Sequence, residues 1–321
     1  VAQPNPSISQ ILSTTINNYS KEIADNISKK NALLTYMSKR GNISTYDGGS
    51  EIYQTVAYSG SMSAQWFNGA EMWNIAPTDS LTTAEFLPRN VVIPVVTVGT
   101  DILANSGAGK MHDFVKAIVQ NAKDTLSNAI AASLFYSNTE NGGKSLGGLQ
   151  FLVSDNGLGT VGNIDSSAAG NSWWQNVVYS FSGNSTTASK DTILDAVNTA
   201  YMKASVSGKG FPDIIVAGAT YYSYLESNMQ EKQRFNTAAN AEAGFEGYLY
   251  KGAFVNYDSN CSDTRAYVLN TNYLHYRPHK DRNCIAGDKV VAMAQDASVL
   301  PILFTGGFTI SGRQNQAVII A

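Results

Sequence analysis

MHDFVKAIVQNAKDTLSNAIAASLFYS, residues 111–137, is the stretch on which the fold turns. Met111, Phe114, Val115, Ile118, Val119, Ala122, Leu126, Ala129, Ile130 and Leu134 recur at steps of three and four, the spacing that gathers side chains on one face of a helix. At 1.5 Å per residue the pattern predicts a helix of about 40 Å. Asn141-Gly142-Gly143 is its expected stop, because glycine accepts the left-handed conformation that ends helices.

Upstream of this helix the texture is that of strands. Glu51 to Tyr58 alternates, with Ile52, Gln54, Val56 and Tyr58 on one face, and Phe86 to Val98 is an almost unbroken β-branched run. Pro88 and Pro94 interrupt that second run, which demotes it to an edge strand or one arm of a free two-stranded ribbon. Between the two runs lies Gln65-Trp66-Phe67-Asn68-Gly69-Ala70-Glu71-Met72-Trp73, so a long ribbon with an aromatic tip is expected. Two readings of the tip stand. Either the rings fold back on their own domain, or they contact another subunit, where Trp and Phe are favoured anchors. Further upstream, Ile8, Ile11, Leu12, Ile16, Tyr19, Ile23 and Ile27 form an amphipathic helical stripe behind a Ser7/Gln10 capping box. Its polar face is rich in Ser, Thr and Asn, poor helix formers, so the stripe needs a partner surface and reads as a docked terminal arm.

Downstream, Leu149–Val153 reads as a short strand, followed by a Gly- and Ser-rich loop to Trp173-Trp174. A helix over 191–204, a buried strand over 213–217 and a helix over 220–229 follow, and the chain returns to strands from Phe254 to its end. The class is α+β, and 321 residues predict about two domains.

Charged residues are only 15% of the chain, against 43% hydrophobic, so Ser, Thr, Asn, Gly and 17 tyrosines must cover much of the surface. A formal net charge of −3 leaves no whole-chain electrostatic grip on nucleic acid. The two cysteines, Cys261 and Cys284, make no disulfide framework and read as reduced thiols. Val1 to Pro6 has no signal-peptide character and no apolar run reaches membrane-spanning length, so the expectation is a soluble chain made in the cytosol, short of a leader already removed.

Catalytic constellations are missing from the sequence. His275 and His279 have the H-x-x-x-H spacing of metal ligands on a helix, but Pro278 and the flanking tyrosines indicate strand and loop. Gly143-Lys144-Ser145 ends a near-miss to a phosphate-binding loop, with Asn138 where the first glycine belongs and a helix where a strand should precede. The densest cationic stretch, Arg277, His279, Lys280 and Arg282, reads either as a solvated turn or as a contact to phosphate or carboxylate in an assembly. No enzyme, metal or cofactor is expected.

Read in order, arm, ribbon, long helix, α/β insertion and returning strands resemble the major capsid proteins of tailed bacteriophages, with the Hong Kong 97-like capsid fold. Local stretches are similar to one branch of phage and prophage capsid proteins: Asn5-Pro-Ser-Ile-Ser-Gln-Ile-Leu12, Ala24-Asp-Asn26, Asn31-Ala-Leu-Leu34, Asp47-Gly-Gly49, Gly147-Gly-Leu-Gln150, Gly159-Thr-Val-Gly162 with Trp173, Asn272-Tyr-Leu-His-Tyr-Arg-Pro-His-Lys-Asp-Arg-Asn283 and Gln295-Asp-Ala297.

The resemblance implies an N-terminal arm (1–40), an extended loop (41–104), a peripheral domain carrying a spine helix (105–186 and 271–321) and an axial domain (187–270). It implies a virion protein that self-assembles as hexamers and pentamers into an icosahedral head in the host bacterial cytoplasm, enclosing double-stranded DNA without sequence specificity. A separate scaffolding protein, a portal and a cement protein are the implied partners, and no membrane. Subunit contacts are expected at Trp66, Phe67, Trp73, Arg89, Arg277, His279, Lys280 and Arg282. The type member of the fold joins subunits by an isopeptide bond from a ribbon lysine to a neighbour's asparagine. Here no lysine lies between Lys39 and Lys110, and Arg89 is the ribbon's only basic residue. An encapsulin-like nanocompartment shell and a secreted surface-layer or adhesin subunit are the alternatives.

Overall fold

The computed structural model describes residues 31–59, 66–73, 79–104, 114–205, 210–230, 248–291 and 295–321. The amphipathic stretch Ser7–Ile27 and Met111–Asp113 lie outside them. The first described helix, α1 (Ala32–Arg40), is capped by the Asn31 side chain, which accepts from the Leu34 amide, and ends at Gly41 with φ of 74°. Strands β1 (Ile52–Ala57) and β2 (Leu81–Phe86) pair antiparallel as a ribbon, Ile52 opposite Phe86. Next come β3 (Arg89–Val98), the short α2 (Gly99–Ala104) and the long α3 (Phe114–Ser133).

The ribbon's return strand is therefore β2, not the run beginning at Phe86. Pro88 falls at the break between β2 and β3, and β3 pairs with a different sheet. The stop of α3 also differs from expectation: the helix ends at Ser133 and spans about 30 Å. The Leu134 carbonyl there accepts from the Leu149 amide, and Gly148 packs so closely that a methyl on it would lie 2.2 Å from that oxygen. Asn141 and Gly142 do take positive φ, 54° and 67°, but in a separate turn. Of the predicted helix face, Ala122, Leu126, Ile130 and Leu134 are buried and Ala129 is exposed. Leu149–Leu152 is a single helical turn instead of a strand, with Leu149 and Leu152 buried.

A small hairpin, β4 (Thr160–Val161) and β5 (Ile164–Asp165), precedes β6 (Val177–Ser180). Then follow α4 (Lys190–Ala204), β7 (Ile214–Ala217), α5 (Ala219–Gln230), β8 (Tyr248–Tyr250), β9 (Ala253–Tyr257) and β10 (Arg265–Leu269). The chain closes with β11 (Leu274–Pro278), β12 (Ile285–Ala286), β13 (Val290–Val291), β14 (Ala297–Ile310) and β15 (Ala317–Ile320).

A six-stranded mixed sheet has the order β6-β15-β10-β7-β9-β8. One face, with Ile215, Val255 and Val268, packs on Ile193 and Val197 of α4 and Leu225 of α5. The other, with Ile214, Val216 and Val318, joins a second core with Leu126 and Ile130 of α3 and Phe304 and Phe308 of β14. Burial on both faces is why Ile214–Ala217 carries no polar alternation.

The second large sheet is organised by β14, which pairs antiparallel with β3 over ten residues and with β11, β12 and β13. Pro94 and Pro301 stand opposite each other there. The Pro301 carbonyl accepts from the Gly287 amide, so its backbone groups point away from β3, and Pro94 lacks its N–H only where β3 faces the open edge.

Arg313, fully buried, ties the two halves of the large core. Its Nε donates to the Leu152 carbonyl at 2.9 Å, and its Nη2 donates to Ser154 Oγ at 3.1 Å and Asn176 Oδ1 at 2.9 Å. Burial pulls its pKa down to about 10. Cys261 and Cys284 are both free, and burial, with the Asp258 charge second, pushes the Cys261 thiol up to about 12.

Candidate subunit interface

The ribbon is anchored at its base on one face only. Ile52, Val56, Ala84 and Phe86 are buried. Gly162 lets the β4–β5 hairpin approach, since a methyl there would lie 2.8 Å from Ala84 Cβ. The Glu85 amide donates to the Gly162 carbonyl at 3.0 Å, Asn163 Nδ2 donates to Glu85 Oε2 at 3.1 Å, and Tyr58 meets the Trp173 ring at 5.4 Å. The ribbon crosses β14 at Gly307, where Ile52 Cδ1 lies 3.8 Å from where a side chain would begin. Beside that crossing Arg277 donates from Nη2 to Gln54 Oε1 at 2.9 Å and from Nε to Thr309 Oγ1 at 3.3 Å. Arg277 thus ties the ribbon to the body within one chain.

The tip is built but uncovered. The Asn68 amide donates to Glu71 Oε2 at 3.2 Å, Gly69 takes φ of 66°, and the turn sets Phe67 and Trp73 edge to face at 5.3 Å. Trp66 is 99% exposed and Met72 97%, and Phe67 and Trp73 are also exposed. Among the described residues none covers these rings.

The cationic stretch does not form one patch. Lys280 pairs with Asp47 at 3.5 Å with both side chains exposed, a contact worth little in water. His279 meets the Tyr46 ring edge to face at 5.0 Å and accepts the Asp281 amide on Nδ1 at 3.1 Å. Arg282 is exposed; its amide donates to the His279 carbonyl at 3.3 Å and its carbonyl accepts from the Thr305 amide at 2.8 Å. Arg89 is half-buried at the ribbon base, lining a cavity of about 360 Å³ with Glu51, Glu85, Phe151 and Phe308. Among the described residues no three His, Cys, Asp or Glu side chains gather as metal ligands.

One polar junction escaped the sequence reading. Asp213 Oδ1 accepts the Thr271 amide at 2.9 Å, its Oδ2 accepts the Thr271 hydroxyl at 2.5 Å, and Arg40 Nη1 lies 3.6 Å from Oδ2. Its carbonyl accepts from Tyr36 Oη at 3.2 Å and from the Phe254 amide at 3.0 Å. Four segments distant in sequence meet there, and an isolated aspartate before an apolar strand gives no sequence signal of it.

No protein-family model matches the chain, and no curated protein sequence matches it. Solved structures do. The chain is similar to a subunit of the cyanophage A-1(L) capsid asymmetric unit, with a TM-score of 0.75 and 14% identity over 95% of this chain and 96% of that one. The capsid of a native GTA particle matches with a TM-score of 0.63 and 10% identity over 99% of both chains. The holo-SrpI encapsulin complex from Synechococcus elongatus PCC 7942 matches with a TM-score of 0.58 and 8% identity over 93% of this chain and 91% of that one. These superpositions show the fold: a mixed α/β chain with the architecture shared by these capsid and encapsulin subunits.

Proposed function

We propose that the protein is the major capsid protein of a tailed bacteriophage, assembling with copies of itself into the closed head that encloses double-stranded DNA. The observation that carries this is the pairing of that fold, over 95% of the chain, with a ribbon whose aromatic tip is covered by nothing among the described residues. In this reading residues 1–40 are the arm, 41–104 the extended loop, 105–186 and 271–321 the peripheral domain with α3 as its spine, and 187–270 the axial domain, whose sheet β6 and β15 complete. Trp66, Phe67 and Trp73 are the subunit anchors. Arg89, His279, Lys280 and Arg282 lie at the rims of contacts, and Arg277 holds the ribbon. A scaffolding protein, a portal and a cement protein are the partners, and the virion is where the protein resides.

Electron microscopy of the expressed chain, alone and with the products of neighbouring genes, tests the reading. Closed shells are expected, and Trp66→Ser with Trp73→Ser should leave a folded subunit whose shell yield falls at least ten-fold. Normal yield with unchanged heat resistance overturns the role of the tip. The encapsulin match supports a second reading, a nanocompartment shell, which predicts particles loaded with a cargo protein in place of nuclease-protected DNA.

A further inference from the structure

The cavity at the root of the ribbon holds unlike charges that do not meet. Its volume of about 360 Å³ is at the small end of the range that takes small organic ligands. Four pieces of the chain converge on it: the ribbon, the segment after α3 through Leu146 and Gly147, the β4–β5 hairpin and β14. The charges, Glu51, Glu85 and Arg89, all come from the ribbon and the start of β3, and all three side chains are half-buried. No ion pair joins Arg89 to either carboxylate, and its guanidinium has no hydrogen-bond partner among the described residues. Glu85 accepts from Asn163 Nδ2 on Oε2, and its Oε1 has no hydrogen-bond partner among the described residues. The register sets Tyr53 opposite Glu85, and Glu51 precedes Tyr53 by two, so both carboxylates fall on one face of the ribbon. The charge of Glu51 first, and that of Glu85 less, push the Tyr53 hydroxyl up, as one negative region does. The apolar part of the lining is aromatic, with Phe86 and Phe308 buried and Phe151 half-buried.

We propose that this cavity binds a small zwitterion with an aromatic body, of the class of the aromatic α-amino acids. Its ammonium sits between Glu51 and Glu85, its carboxylate on Arg89, and its ring against Phe86, Phe151 and Phe308. Three observations carry the assignment. Unlike charges that line one cavity without touching leave a gap that a ligand bearing both signs fills, whereas a simple cation or anion is repelled by one of them. The ratio of charged groups also fits. An ammonium has three donors and serves two carboxylates, while a guanidinium takes one carboxylate through two parallel bonds. Finally, the three phenylalanines offer an aromatic ring stacked or edge-to-face contacts that a purely polar ligand leaves unused. The rival occupant, a lysine or arginine side chain of another polypeptide, brings only positive charge and leaves Arg89 unmet. Bound in the cavity, the zwitterion joins the ribbon root to the β4–β5 hairpin and β14 and so fixes the angle at which the ribbon leaves the body. The site lies within one chain, so the inference stands or falls independently of the shell reading.

Titration of the unassembled full-length chain with L-phenylalanine, followed by saturation-transfer NMR and thermal melting, tests this. A dissociation constant of about 1 mM is expected for so small a ligand, with a rise in melting temperature at saturation. Phenethylamine lacks the carboxylate, 3-phenylpropionate the ammonium and L-alanine the ring, and each should bind at least about five-fold more weakly. Arg89→Gln should abolish the preference for phenylalanine over phenethylamine, and Glu51→Gln with Glu85→Gln the preference over 3-phenylpropionate. These substitutions are close to isosteric at half-buried positions, and parent-like melting without ligand verifies that the variants fold. Analogues that bind as tightly as phenylalanine, or preferences unchanged in the variants, overturn the proposal. So does the absence of both saturation transfer and a melting shift at ten times the expected dissociation constant. Tighter binding of Nα-acetyl-lysinamide than of phenylalanine assigns the cavity to a cationic side chain of another polypeptide and overturns the zwitterion.

Discussion

Asp213 ties segments distant in sequence through one buried carboxylate. Its oxygens satisfy the amide and hydroxyl of Thr271, a residue with no exposed surface, so removing them strands two buried donors. Asp213→Ala is expected to destabilise the unassembled subunit by about 2–4 kcal/mol in urea titration, and Asp213→Asn by less, since an acceptor remains. The Arg40 contact adds little, being half-exposed on the arginine side. His275 supplies a pH dependence of definite sign. Burial first, and the Arg277 charge second, hold its pKa below the ordinary 6.5. The folded chain therefore binds fewer protons there than the unfolded chain as pH falls below 6.5. Stability from this residue is complete above pH 6.5 and declines on acidification until the folded pKa is passed, with a slope of at most about 1.4 kcal/mol per pH unit. His275→Gln should flatten that part of the curve; an identical decline in the variant would assign it to other groups.

Two glycines show how the elements are held at their crossings. Gly148 sits against the carbonyls of Ser133 and Leu134, backbone that cannot give way, so Gly148→Ala should cost more than about 2 kcal/mol in subunit stability. Gly307 has room, its nearest neighbours lying at 3.8 Å, so Gly307→Ala should fall within about 0.5 kcal/mol of the parent. Gly307→Leu should push Ile52 away and part Arg277 from Gln54, lowering shell yield before subunit stability; equal loss of both would make the crossing a plain core contact. The same crossings explain what the sequence could reveal. Elements with a clean period were legible: the helix over 191–204, the fully buried Ile214–Ala217, and the alternation of Ile52–Ala57, whereas the Ser189 capping box that starts α4 went unread. The end of α3 was not, because its stop is a tertiary contact with Gly148 and the glycines at 142 and 143 terminate nothing. The ribbon's return strand was missed because Leu81-Thr-Thr-Ala-Glu-Phe86 is weakly apolar beside the run that follows, and pairing partners leave no local signature. The aromatic tip was legible as a candidate from composition alone.

At the scale of the molecule, the described residues leave the aromatic tip of the ribbon uncovered, and under the proposed shell reading a neighbouring copy would cover it. In such a shell each copy would be held by several neighbours, so local opening at one contact would leave the copy in place and reclosure would be effectively intramolecular. A covalent lattice through the ribbon is not expected, because the ribbon has no lysine amine to form one. An isopeptide bond needs a neutral amine to attack a side-chain amide with release of ammonia. Between residues 41 and 104 the only basic side chain is Arg89, whose guanidinium stays protonated and is a poor nucleophile. Lys39 and Lys123 are exposed but lie on α1 and α3, outside the ribbon. Boiled and reduced particles should therefore run as a single band near the 34.4 kDa of the chain. A ladder of multimers surviving that treatment would mean that an amine outside the ribbon reaches a neighbour. Mass spectrometry of the linked peptides would then identify it, with Lys39 and Lys123 the first to examine. With a single band, shell strength must track apolar burial. Salt should then leave particle melting nearly unchanged, whereas Trp66→Ser should lower it in any particles that still form.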